Sequence, residues 1–97
     1  MPMCGSTGSV KPVDDECRDV LGRVREGCEE KAGKKFEYFE PIHYKTQLVN
    51  GINFFIKVKI ADNDYLHVRA HKSFQDEVTL WGIQQSKILE EEVHYFD

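Results

Sequence analysis

Apolar side chains fall at Cys17, Val20, Leu21, Val24, Cys28 and Ala32 in the first third of the chain. At about 100° per residue these positions lie within a stripe roughly 120° wide, which predicts a helix with one face on a core. Asp14, Asp15 and Glu16 precede the stripe, where the free N–H groups and positive dipole end of a helix favour carboxylates. Gly33 supplies the stop, and Lys31, Lys34 and Lys35 suit the negative end. Gly22 and Gly27 each weaken the helix by about 1 kcal/mol relative to Ala, so it depends on packing against something else.

From Phe36 onward the period changes to two. Phe36, Tyr38, Ile42 and Tyr44 alternate with polar residues, with a bulge or bend expected near Pro41. The clearest strand runs through Ile52, Phe54, Ile56, Val58 and Ile60, with Asn53, Lys57 and Lys59 on the other face. A turn at Ala61-Asp62-Asn63-Asp64 leads to Leu66, Val68 and Ala70, alternating with His67, Arg69 and His71. After a break at 72–77, a further strand is expected over 78–84, then an acidic tail over 88–97 anchored by Tyr95 and Phe96. The small residues of 1–13 read as a flexible arm. One helix followed by strands with short connections implies antiparallel neighbours. The expected fold is α+β: one long helix across a curved antiparallel sheet of four to five strands, in a single domain over 1–97.

Composition narrows the function. The 97 residues carry a net charge of −4, a poor footprint for nucleic acid, which demands a basic face. The longest apolar run, glycine aside, is Phe54-Phe55-Ile56, so no membrane span is expected. Met1-Pro2-Met3-Cys4-Gly5 does not resemble a secretory signal. Three cysteines, Cys4, Cys17 and Cys28, are an odd set without C-x-x-C spacing, and free thiols in the cytoplasm are the expected reading. Cys17 and Cys28 stand about 16 Å apart along one helix, too far for a disulfide, and read as small buried hydrophobes.

Catalytic chemistry finds little support. There is no G-x-S-x-G, P-loop or dinucleotide glycine turn. His67 and His71 have helical metal-ligand spacing but lie on a strand, roughly 13 Å apart, with Arg69 between them on the same face. One ion with bonds of about 2.1 Å cannot bridge them, so neither a metal nor a cofactor is expected. Glu90-Glu91-Glu92 reads as a solvated edge that discourages strand pairing.

Gln47-Leu48-Val49-Asn50-Gly51 connects two strands, and Gly51 can take positive φ there. Val49 near the tip gains nothing from water, so it either folds back on the sheet or belongs to a binding loop. At this point the chain resembles the cystatins. Gln47-x-Val49-x-Gly51 matches their Q-x-V-x-G loop, and Tyr44 to Val58 is similar to the corresponding hairpin of the stefins, the type 1 cystatins. Cys4-Gly5 resembles the stefin N-terminal trunk, Glu29-Glu30-Lys31 the end of the stefin helix, and Asp62 to Val68 the next turn and strand. The resemblance covers nearly the whole chain.

It implies reversible, tight-binding inhibition of papain-like cysteine proteases (cathepsins), with no enzymatic activity. In such inhibitors the trunk and two hairpins form a wedge. Carried over, these are Cys4 and Gly5, then Gln47, Leu48, Val49, Asn50 and Gly51, then Ser73 and Phe74. The second hairpin departs from the stefin pattern: Ser73-Phe74-Gln75-Asp76-Glu77 replaces a Leu-Pro pair in a longer loop, and Phe74 is the residue able to replace its apolar contact. The alternative is a non-inhibitory protein-binding module of the same fold. Trp81, in the following strand, is a core or surface-stacking residue, with the core favoured for a strand position, although secreted cystatins use a Trp in their second hairpin. A monomer is expected, with domain swapping at the first hairpin as the route to dimers.

Overall fold

In the computed structural model, which describes residues 8–93 and 96, Asp14 caps helix α1 (Asp15–Ala32). Its Oδ1 accepts from the Cys17 N–H at 2.9 Å. Gly33 closes the helix in the left-handed region at φ 76° and donates its N–H to the carbonyls of Glu29 and Glu30. The described strands are β1 (Lys11–Pro12), β2 (Glu40–Val49), β3 (Gly51–Ala61), β4 (Asp64–Lys72) and β5 (Val78–Lys87). They form one sheet in sequence order, every neighbour antiparallel. The expected α+β architecture is therefore observed, with five strands.

The helix lies on the inner face of the sheet. Cys17, Val20, Leu21, Val24 and Cys28 form one cluster with Tyr44, Phe54, Ile56, Val58, Leu66, Val68 and Ala70. Burying each large aliphatic or aromatic side chain contributes about 1.5–3 kcal/mol, which offsets the two helical glycines. Gly27 lies against β5: a Cβ there would stand 2.9 Å from Leu80 Cδ2. Cys17 and Cys28 are fully buried free thiols, and burial pushes both up to about 12, so neither is a reactive thiolate.

Several sequence expectations are corrected. Phe36 and Tyr38 do not begin a strand, because the Phe36 backbone is taken by helix side chains. Its N–H donates to Glu29 Oε2 at 3.0 Å and its carbonyl accepts from Arg25 Nη2. Pairing starts at Glu40, and the irregularity expected near Pro41 appears between Pro41 and His43. The arm does not run free to residue 13: the Gly8 N–H donates to the Thr46 carbonyl at 2.9 Å, and Lys11 pairs with Tyr44. β5 continues past 84 to Lys87.

Trp81 is not in the core. Arg69 pairs with Gly82 and Ala70 with Leu80, so Trp81 is an extra, bulged residue, 56% exposed. The bulge has a cause in the sequence. Leu80 and Ile83 both pack on the inner face, yet residues three apart face oppositely in a regular strand.

The outer face of β3 and β4 is buried rather than solvated. Segment 88–93 and Phe96 cover it, with Phe55, Val93 and Phe96 forming a second small cluster. Lys57 Nζ donates to the carbonyls of Ile88 and, at 3.0 Å, Leu89. Arg69 Nη1 donates to the Phe96 carbonyl at 2.7 Å, and its guanidinium stacks 4.5 Å from the Trp81 ring. Phe96 thus anchors the tail as expected, while Tyr95 lies outside the described residues.

Asp14 also accepts from the Tyr44 hydroxyl at 2.9 Å, joining the helix cap to β2. These bonds, the Cys17 N–H first, hold its carboxyl below the usual range. A lowered carboxylate contributes stability that is present above its ordinary pKa and lost as pH falls through the lowered value. Asp14→Asn keeps a capping side chain without that titration. The variant is expected to lose thermal stability less steeply than the wild type below about pH 4, measured as Tm against pH. Parallel acid limbs would contradict it.

Candidate functional site

β2 and β3 are joined so tightly that Val49 pairs with Gly51 and Asn50 alone forms the tip. Three features fix this hairpin. On the outer face the buried Gln47 Oε1 accepts from Asn53 Nδ2 at 2.7 Å. His71 Nε2 lies 2.7 Å from the Asn50 carbonyl, a bond from β4 to the tip. Gly51 has φ 103°, and a Cβ there would stand 2.5 Å from the Lys72 carbonyl oxygen.

The tip is apolar on both sides. Leu48 and Val49 are consecutive strand residues and so face opposite ways. Leu48 shares the inner face with Tyr44, whose hydroxyl already meets Asp14 at the start of the helix. Four residues further on, about 13 Å along the strand, Leu48 has passed the helix end and is 74% exposed. Val49 is half-buried. Sequence reasoning singled out Val49, yet Leu48 is the more exposed of the two. The signal that finds it is the position of Asp14: a strand residue beyond the helix start has no helix to pack against.

The loop between β4 and β5 lies at the same end of the sheet, since Ile52 pairs with Lys72. Ser73 closes it: its N–H donates to the Glu77 carbonyl at 2.8 Å, and its hydroxyl accepts from the Gln75 and Glu77 N–H groups, each at 3.1 Å. Phe74 projects from this loop with 73% exposure. β1 runs antiparallel to β2, and Gly8 lies opposite Thr46, toward the hairpin end. Cys4 and Gly5 lie outside the described residues. The structure therefore brings Gln47 to Gly51 together with Ser73 and Phe74 at one end. Trp81 stands on β5 away from it, about 13 Å along the strand from Glu77. His67 and His71 lie on β4 as expected from the sequence, His67 buried beneath the tail and His71 engaged with the hairpin.

What this end offers is contact surface: exposed apolar side chains on a braced backbone. Among the described residues no helix is long and apolar enough to cross a membrane.

A family model described as a Cystatin domain matches residues 8–94. The chain is 40% identical over 97 residues to Cystatin-B of Macaca fuscata fuscata, covering 97% of this chain and 99% of that protein. It is 40% identical over 94 residues to Cystatin-A3 of Dictyostelium discoideum, covering 93% and 99%. It is 37% identical over 97 residues to Cystatin-B of Homo sapiens, again covering 97% and 99%.

Proposed function

The chain belongs to the cystatin family, as a cystatin of the stefin type and not an enzyme, and on that premise we propose that it is a reversible, tight-binding inhibitor of papain-like cysteine proteases of the cathepsin type, acting in the cytoplasm. The observation that carries this reading is the exposed Leu48 at the tip of a hairpin fixed by Gln47, Asn53 and His71, with Phe74 exposed at the same end of the sheet.

Two hairpin loops and the segment before Gly8, including Cys4 and Gly5, form the proposed wedge. A protease cleft has apolar walls, and burying Leu48, Val49 and Phe74 there removes apolar surface from water at roughly 25 cal/mol per Å². The braced backbone lowers the ordering entropy lost on docking. A wedge that straddles the catalytic cysteine presents no peptide bond to it, so the inhibitor is not consumed. The glycine of the trunk lets its backbone approach the substrate-binding cleft closely.

Inhibition of papain against a fluorogenic peptide substrate tests the function. Full papain activity at micromolar protein would overturn it and leave a non-inhibitory binding module of the same fold. Phe74→Ala is expected to raise the inhibition constant about tenfold, the effect of losing one packed aromatic contact of about 1.4 kcal/mol. An unchanged constant would show that the second loop stays outside the cleft.

A further inference from the structure

Asp76 sits in the β4–β5 loop in the left-handed region, at φ 69°. Aspartate tolerates that conformation better than most side chains, but it remains unfavourable without support. The loop has no proline to fix its φ angles. Beyond the bonds that Ser73 makes within the loop, its support comes from the helix. Arg23 Nη1 donates to the Asp76 carbonyl at 2.8 Å, and Nη2 donates to Asp76 Oδ2 at 3.0 Å. The guanidinium thus grips backbone and side chain of the same strained residue with two prongs. Arg23 is oriented in turn by Asp19, one helical turn earlier, at 3.1 Å. From the other side Lys72 Nζ lies 3.3 Å from Asp76 Oδ1 and 3.6 Å from Glu16.

These are surface pairs, and as sources of global stability they count for little. Their geometry counts for more. They tie the loop to α1 two residues beyond Phe74, the loop's exposed apolar side chain. Within the loop, the Asp76 N–H donates to the Ser73 carbonyl at 3.0 Å, and the Arg23 grip adds the tie between that turn and the helix.

We infer that Arg23 is a positioning residue for the second contact loop: through Asp76 it holds Phe74 in the geometry that docks, a role that rests on the inhibitory reading above. Arg23 acts before docking, by making the loop rigid in the free protein. The loss should therefore appear in dissociation more than in encounter.

The test compares wild type, Arg23→Gln, Phe74→Ala and the double variant. In the free protein, Arg23→Gln is expected to speed amide hydrogen exchange at Asp76, whose N–H donates to the Ser73 carbonyl, by about tenfold. Its Tm should stay within about 2 °C of wild type. With papain, its dissociation rate constant should rise about tenfold and its association rate constant stay within about twofold. In the Phe74→Ala background, Arg23→Gln should add nothing further. Unaltered exchange at Asp76, or equal acceleration of dissociation with and without Phe74, would overturn the role while wild-type inhibition stands. A wild-type chain that leaves papain fully active would overturn both readings at once.

Discussion

Leu48→Asp is expected to weaken papain inhibition at least about a hundredfold while leaving the free protein's Tm unchanged. Both halves follow from where the side chain stands. At 74% exposure Leu48 contributes little to the core, so a carboxylate there remains solvated in the free inhibitor. In the proposed complex the same position is pressed against apolar walls. A carboxylate without a partner in such a site costs several kcal/mol, more than loss of the leucine alone. The inhibition constant and a thermal melt are the two measurements. An inhibition constant within about threefold of wild type would show that the tip is not inserted, because a rim charge is worth no more than that.

Gly51→Ala is the second large effect, and it acts through the backbone. A side chain at φ 103° is strained in itself. Here the new Cβ also meets the Lys72 carbonyl oxygen at 2.5 Å and His71 Nε2 at 2.7 Å. The first contact is main chain and cannot rotate away. The second is the imidazole that holds the Asn50 carbonyl, so relieving it releases the tip. A loss of about 3 kcal/mol in urea unfolding is expected, together with weaker inhibition. Gly33→Ala separates the two causes. Gly33 also has positive φ, at 76°, but nothing lies within 4 Å of its Cβ position and it sits at the far end of α1. It should lose only about 1 kcal/mol and inhibit as wild type. Equal losses at both glycines would mean that the crowding around Gly51 is relieved without effect.

Local periodicity carries far in this chain. The helix stripe, both of its caps and the inner face of β3 are legible because each follows from residues a few positions apart. The hairpin is legible from Gln47, Val49 and Gly51, and Phe74 through the resemblance of its loop to the second hairpin of the stefins. What is not legible depends on distant partners. Phe36 looks like strand until Arg25 and Glu29 take its backbone. Lys57 and Arg69 look like solvent-facing residues until backbone carbonyls of the C-terminal segment reach them. Trp81 looks like core because its neighbours alternate, and only the need to seat both Leu80 and Ile83 reveals the extra residue. The Arg23–Asp76 pair spans 53 positions and left no trace in any window.

The irregular path of β5 matters beyond the placing of Trp81. β5 is an edge strand of ten residues whose only charge is Lys87, and such an edge is a ready template for another chain. It is nevertheless broken twice. Trp81 bulges out, and near the far end the register shifts between Tyr65 and His67, where Ser86 takes φ 61°. Each break turns N–H and C=O groups out of line, so an incoming strand cannot form an unbroken ladder. The consequence is colloidal: an edge with a single charge that would otherwise seed edge-to-edge aggregation is blunted by the shape of the backbone, leaving the loop end of the sheet free for its apolar contacts.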